Sequence, residues 1–457
     1  MKKLLLSIVL YFAALAAFGQ ATAGRDFWVA FGVSNNNGGI EYHVRIVASV
    51  NTNVTLNFTN NASLNRTIQV AAGAIQTIDL TQAERVAINN TTSATTSKSL
   101  HITSDNDISV CIALLGTDGT SDAATGIFPV SLFGNDYFHI SYTIENGDGY
   151  RDGYLIIATD NNTQIYENGT LVTTLNQGQV FSKYNNADMT SRHITSSKPI
   201  AYFVAVEGVS IPTGVTWRDH IIEQLLPVNL WKTEFLVPVT NMGTNRVRIV
   251  ASQNGTLVSQ TGGTVVSGSL NLNAGEFVEL QITQSNSGCY ISSNKPIEVC
   301  SYILGCTYFS SADCNGDPAF SIIPSVDYLV NSCILAPFKS NIQHSWQISN
   351  LFAQIVTPTA TRNSTTVSVN GAAPTALSGG SWTNNAASGF SYYNMPLASN
   401  NTAKYKFDNS NGLIVYGYGI EFAAAYYYLA STIEEICVSV FDTISVTVCR
   451  NSIYNFN

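Results

Sequence analysis

The chain has 457 residues, with 21 basic against 30 acidic side chains, a formal charge of −9 and charged residues at only 11%. The acidic balance excludes a nucleic-acid partner held through phosphate neutralisation. Ordinary soluble domains carry about 25% charged residues, so this surface must be built from Asn, Thr, Ser and Gly, as in β-rich extracellular proteins.

Met1-Lys2-Lys3, an apolar stretch over 4–17 and small residues at Gly19, Ala21 and Ala23 open the chain as a secretory signal peptide does. We assign 1–23 to it, so the mature chain begins near Gly24 and carries 19 basic against 30 acidic residues, a charge of −11. The signal region holds no cysteine for a lipid anchor, and no later apolar run approaches the roughly 20 residues of a membrane-spanning helix. The expected location is secreted or on the outer cell surface, with no transmembrane segment. Export also permits disulfides among Cys111, Cys289, Cys300, Cys306, Cys314, Cys333, Cys437 and Cys449.

Beyond Gly24, helical periodicity is nearly absent. Short runs of β-branched and aromatic residues alternate with Asn, Gly and Asp, which predicts an all-β chain. A repeat of about 100 residues runs through it. A strand ending in a small residue recurs at Arg45-Ile46-Val47-Ala48, Leu155-Ile156-Ile157-Ala158, Arg248-Ile249-Val250-Ala251 and Gln354-Ile355-Val356-Thr357. A segment read as a turn recurs at Ile102-Thr103-Ser104-Asp105, Ile194-Thr195-Ser196-Ser197 and Ile291-Ser292-Ser293-Asn294, with a degenerate copy at Phe407-Asp408-Asn409-Ser410. Prolines follow at Pro129, Pro227 and Pro324, each preceded seven or eight residues earlier by an acid, Asp122, Asp219 or Asp317. The resulting organisation is a region over 24–431 with four repeats, about 24–141, 142–239, 240–337 and 338–431. We expect tandem β-sandwich-like units, with propeller-like closure, two blades per repeat, as the alternative.

This register reinterprets residues that otherwise look chemical. His101 and His193 precede the same shared segment, which makes them repeat-equivalent and structural, and Cys111 and Cys300 fall where the other units have Phe203 and Tyr416, so they read as strand-core residues. Cys306 and Cys314 bracket a short loop and are the best candidates for a local disulfide. The three aligned acids read as side chains that cap turns. The run 146–153, rich in Asn, Gly and Asp, resembles a calcium loop but lacks a closing glutamate and reads as a turn cluster. Nothing in the sequence matches a GxSxG elbow, an HExxH pair or a phosphate-cradling loop, so no enzyme activity, no cofactor and no metal are expected. Exposed aromatics on polar loops are the remaining functional signal. Trp217, Arg218 and Asp219 in one unit, and Tyr308 and Phe309 in the next, precede the proline landmark and are the binding candidates, against the alternative that they tuck over their own unit.

These landmarks resemble a known family. Gly24-Arg25-Asp26-Phe27-Trp28-Val29-Ala30-Phe31, the run 157–163, Ser197-Lys198-Pro199-Ile200, Gln224-Leu225-Leu226-Pro227 with Trp231, Ser293-Asn294-Lys295-Pro296-Ile297, Gly316-Asp317-Pro318 and Tyr416-Gly417-Tyr418-Gly419 are similar to the IgGFc-binding protein N-terminal domain family. The likeness extends over about 24–431. It implies an extracellular binding role, with an extracellular protein or glycoprotein, immunoglobulin Fc or a mucin, as partner, and a Bacteroidota-type exported protein as setting. It carries no Fc-contacting residue over, because the matched positions are turn and core residues. The tail, 432–457, resembles the start of a further C-terminal module and suggests a truncated chain. It reads equally as a terminal hairpin stapled by Cys437 and Cys449. The function expected is a surface binding or adhesion protein, with a structural stalk or surface-layer component as the alternative.

Overall fold

The computed structural model describes residues 22–35, 39–144, 149–308, 314–340, 347–400, 402–432, 437–441 and 445–449. Its one α-helix among them is Gln82–Ile88, started by a capping box between Thr81 and Glu84. The rest is antiparallel strand and turn, organised as four curled sheets and a terminal two-stranded sheet.

Each of the four sheets is built on one long strand: Leu100–Gly116, His193–Val209, Cys289–Ile303 and Tyr405–Glu421. The pairing around these strands is the same four times over. In the first sheet the early half of the long strand pairs with Ala23–Val29 on one side and Thr52–Phe58 on the other. Its late half pairs with Ile40–Ala48 and Ala123–Ile127. The equivalent partners in the fourth sheet are Val330–Leu335, Thr366–Val369, Asn350–Pro358 and Ala424–Leu429. One continuous strand therefore serves both layers of each sandwich-like unit.

The shared segment read as a turn lies at the point where the long strand passes between layers. There the register of the first-strand pairing shifts, between Thr195 and Ile200 in the second sheet and between Gly24 and Asp26 in the first. The backbone bends without breaking because a serine spans the bend: Ser104, Ser196 and Ser293 each donate Oγ–H to the carbonyl two residues on, at 2.7, 2.7 and 2.6 Å. In the fourth copy Asn409 does the same in reverse, accepting from the N–H of Asn411 at 2.9 Å. A short hydroxyl or amide that bonds its own backbone two residues on also marks turns, so the sequence signal was real but its structural use is a bend inside a strand.

The proline landmark closes each unit. Pro129 and Pro227 lead into single 3-10 turns, Val130–Leu132 and Val228–Leu230, and the chain then enters the first strand of the next sheet. Gly24 and Gly134 lie so close to these prolines that a Cβ on either would stand 2.4 or 2.5 Å from the proline Cβ, which only glycine avoids.

The units also close into a ring. The strand after each long strand, Ala123–Ile127, Asp219–Gln224, Ala319–Ile322 and Ala424–Leu429, packs beside its counterparts in both neighbours, the fourth returning to the first. Each sheet therefore presses both faces against another. Tyr202, Val204 and Val206 point into one core while Ala201, Phe203 and Ala205 point into the next, and Ile112 and Leu114 part from Cys111, Ala113 and Leu115 in the same way. Burial on both faces explains why Ile40–Ala48 and Asp152–Ala158 are buried at every position. Closure thus joins four sandwich-like sheets, one per repeat rather than two blades.

Tyrosine hydroxyls bridge three seams: Tyr184 donates to the Asn90 carbonyl at 2.6 Å, Tyr302 to that of Ser141 at 2.9 Å, and Tyr418 accepts from the Asn241 N–H at 3.1 Å. At the fourth seam Arg45 reaches the Ala336 carbonyl. Replacing the bend serines tests the long-strand account. Ser196→Ala and Ser293→Ala should each lower stability by about 1 kcal/mol and add in the double variant because they lie in different sheets, read as falls in the denaturant midpoint.

Candidate binding face

At one end of the ring, the loops that lead from each long strand into its inner strand come together. They are joined in a circle by hydrogen bonds. The Ser121 N–H donates to the Ala423 carbonyl at 3.3 Å, linking units one and four, and Asn35 Nδ2 donates to the Arg218 carbonyl at 2.7 Å, linking one and two. The Gly305 N–H meets the Ile211 carbonyl at 2.6 Å and the Thr216 N–H meets Thr307 Oγ1 at 2.8 Å, linking two and three. The N–H groups of Gly316 and Ala423 donate to the carbonyls of Glu421 and Cys314 at 2.9 and 3.0 Å, linking three and four.

The loop candidates meet here, with different fates. Trp217 is 55% exposed, the most exposed aromatic ring among the described residues, and it holds a φ of +72°. A bulky side chain is rare in that left-handed region, and such strain gathers at functional positions. Arg218 is half-buried beside it. Asp219 is fully buried and starts the inner strand, so it supports the face from below and offers no surface. Tyr308 is half-buried, packs on the core and donates its hydroxyl to Gln281 Oε1 at 3.1 Å, the tucked-back alternative. Phe309 lies outside the described residues. Cys306 and Cys314 form the expected disulfide, which ties this loop next to Ala423 of the fourth unit. Cys437 and Cys449 are directly opposite each other in the terminal two-stranded sheet.

Beneath the face lie the three aligned acids. Asp122 accepts the Gly116 N–H at 2.8 Å across its own loop, as a turn-capping side chain does, whereas Asp219 accepts only the N–H of the next strand residue, His220, at 2.7 Å within its own unit. Asp219 is also bonded by Ser121 and by the Asp122 N–H across the seam. Sequence alignment placed these acids at equal depth in three units, but only ring closure brings them into each other's field. Burial holds all three carboxyls well above the usual range; the charge of Asp219 raises Asp122 further, and the charges of Asp219 and Asp122 raise Asp317. His220 is pushed down to about 3 by the same burial. Asp219 Oδ2 and Asp317 Oδ1 have no hydrogen-bond partner. The fourth unit has Ala423 at this level, so the acids are three and the ring is four. Among the described residues no group of three or more His, Cys, Asp or Glu is arranged to hold a metal ion.

Other chemical-looking sets resolve into structure. His101 stacks on Trp28 at 4.0 Å and bonds Asp26 at 2.7 Å, while His193 stacks on Phe138 at 4.3 Å and bonds Asp136 at 2.7 Å, the same device twice. Ser141, His139 and Asp152 look like a nucleophilic triad. All three are fully buried, and Ser141 donates to Asp152 at 2.6 Å instead of to the histidine, so the relay order of a triad is absent and no substrate can reach the hydroxyl. Cys300 is buried with its thiol raised well above the ordinary value, which makes it inert. Part of the glycine- and aspartate-rich run, 145–148, lies outside the described residues; Asp152 at its end is consumed by His139, Ser141 and the Met189 N–H.

The Asp317 carboxyl gives a signed test. Its folded-state value lies above the unfolded one near 4, so folding takes up a proton. Stability is then full below pH 4 and falls as pH rises toward the folded value. Asp317→Asn should stabilise the chain by roughly 1–3 kcal/mol at pH 8, with the gain disappearing near pH 4 in thermal melts across that range.

A 168-residue stretch, 36% of the chain, is 30% identical to the IgGFc-binding protein of Homo sapiens, of which it covers 3%. The chain therefore spans a small fraction of that relative. Residues 14–181 and 123–417 match the family described as IgGFc binding protein, reaching into the fourth long strand, and the chain belongs to that family.

Proposed function

We propose that this chain is an extracellular binding module that recognises a macromolecule, a glycoprotein in the first instance, through the loop face around Trp217, and that it catalyses nothing. The observation that carries the reading is Trp217 itself: an exposed indole in a strained backbone conformation, on loops locked to one another by hydrogen bonds around the whole ring. A rigid aromatic on a preorganised surface supplies contact area at little entropic cost. The disulfide Cys306–Cys314 adds to that preorganisation on the neighbouring loop. Family membership supports an extracellular binding role, and among the described residues no helix is long and apolar enough to cross a membrane. Signal-directed secretion and attachment to an outer surface are part of the same reading, as is a disulfide between Cys437 and Cys449.

The test is binding of the purified chain from Gly24 onward to immobilised immunoglobulin Fc and to mucus glycoproteins. Saturable binding is expected, weakened by about 2 kcal/mol in Trp217→Ala with thermal stability unchanged to within about 0.5 kcal/mol. Reduction and alkylation of the loop disulfide should weaken it as well. Binding that is indifferent to Trp217 would remove the loop face from the account.

A further inference from the structure

The repeat places two arginines at equivalent positions, and the ring treats them differently. Arg248 points across the seam between the third and second units. Its Nε meets Glu279 Oε2 at 3.1 Å, its Nη1 meets the Ser141 carbonyl at 2.9 Å and Asp188 Oδ2 at 3.2 Å, its Nη2 meets Thr143 Oγ1 at 2.7 Å, and the guanidinium lies 4.2 Å from the Tyr142 ring centre. Arg45 points across the seam between the first and fourth units in the same pose. Its Nε meets Thr77 Oγ1 at 3.1 Å, its Nη1 meets the Ala336 carbonyl, and the guanidinium lies 3.8 Å from the Phe338 ring centre.

What differs is the charge around them. Thr77 stands opposite Arg45 in the strand register, as Glu279 stands opposite Arg248. The carboxylate opposite Arg248 is therefore a hydroxyl opposite Arg45, and the two carboxylates that this seam does hold, Glu41 and Asp79, are bonded to His43 rather than to the arginine. Lys339, next to Phe338, adds a second cation where Thr143 follows Tyr142. Arg45 is 2% exposed and forms no ion pair among the described residues. A buried guanidinium that no carboxylate bonds directly is costly. Beside it lies a cleft of about 290 Å³ lined by Arg45, Thr77, Lys339 and Thr402, with His43 and Asp79. The Asp79 carboxylate in that lining is bonded to His43 Nδ1 at 2.6 Å.

We infer that this cleft is a binding site for a carboxylate-bearing sugar, whose carboxylate takes the place that Asp188 and Glu279 occupy in the filled seam. Arginine matches a carboxylate in a planar, two-pronged geometry, and Lys339 adds charge. The threonine hydroxyls and Asp79 supply hydrogen-bond partners for ring hydroxyls. The volume suits one acidic monosaccharide unit. The site depends on the seam alone and is separate from the Trp217 face.

Glucuronate titrated into the full mature chain, followed by calorimetry, should bind saturably, while glucose should not bind. Arg45→Gln should abolish binding, but it also removes a seam hydrogen bond and can misfold. Thr77→Glu avoids that problem, because it rebuilds the internal carboxylate found opposite Arg248. It should raise the melting temperature of the unliganded chain and weaken glucuronate binding by about tenfold or more. No glucuronate binding to the unaltered chain, equal binding of glucose, undiminished binding by Thr77→Glu, or binding of N-acetylglucosamine 6-sulfate in preference to glucuronate would each overturn the assignment.

Discussion

The structure depends on face-to-face burial of its sheets. Each of the four sheets presents apolar side chains on both faces of its central strands, as the alternation of Leu155 and Ile157 against Tyr154 and Ile156 between two cores shows. Such a sheet cannot satisfy itself against water on either side, at roughly 25 cal/mol for each Å² of apolar surface left exposed. An open row of four would leave two faces bare. Closing the row covers both, and the inner strands are the place where closure occurs.

Closure has an electrostatic consequence at the axis. Polar and acidic residues that would be ordinary at the end of a single sandwich are brought within each other's field when the ends converge. Asp122 keeps its bond to the Gly116 N–H, while burial and mutual repulsion push the carboxyls of Asp122, Asp219 and Asp317 well above their ordinary range. The tolerance of this cost, together with the unpartnered oxygens of Asp219 and Asp317, sits directly under the loop surface that carries Trp217. A rigid circle of loops over a strained polar plug resembles the way other proteins hold recognition surfaces on a stable scaffold.

The seams carry the individuality of the ring. Units with the same strand pairing meet four times, but each seam solves its polar problem with different residues. One uses the Tyr184 hydroxyl, another the saturated Arg248 network, and the seam that joins the first unit to the last leaves Arg45 bonded to a hydroxyl and a carbonyl instead of a carboxylate. Repeats of this kind let a single scaffold position diverge in one copy while its equivalents preserve the fold.

Sequence alone determined the class and the period. Strand residues punctuated by Asn, Gly and Asp give an all-β chain, and three landmarks in constant order give about 100 residues per unit, because side-chain alternation and turn chemistry are local. It also singled out Cys306 and Cys314, since they bracket a short loop, and it read His101 and His193 as equivalents, because both precede the same shared segment. The tertiary structure decided the remainder. The shared serine segment is a bend within a strand because pairing partners on both sides carry the strand through it, and those partners lie tens of residues away. Asp219 is buried because the neighbouring unit's Ser121 and Asp122 close over it, Tyr308 is half-buried because it folds back onto Gln281 of its own unit, and Trp217 is exposed; the first of these depends on a neighbour that no single unit's sequence contains. Arg45 and Arg248 read alike in the sequence; strand pairing, which sets Thr77 opposite one and Glu279 opposite the other, and the seam, which brings Asp188 to Arg248, make them different.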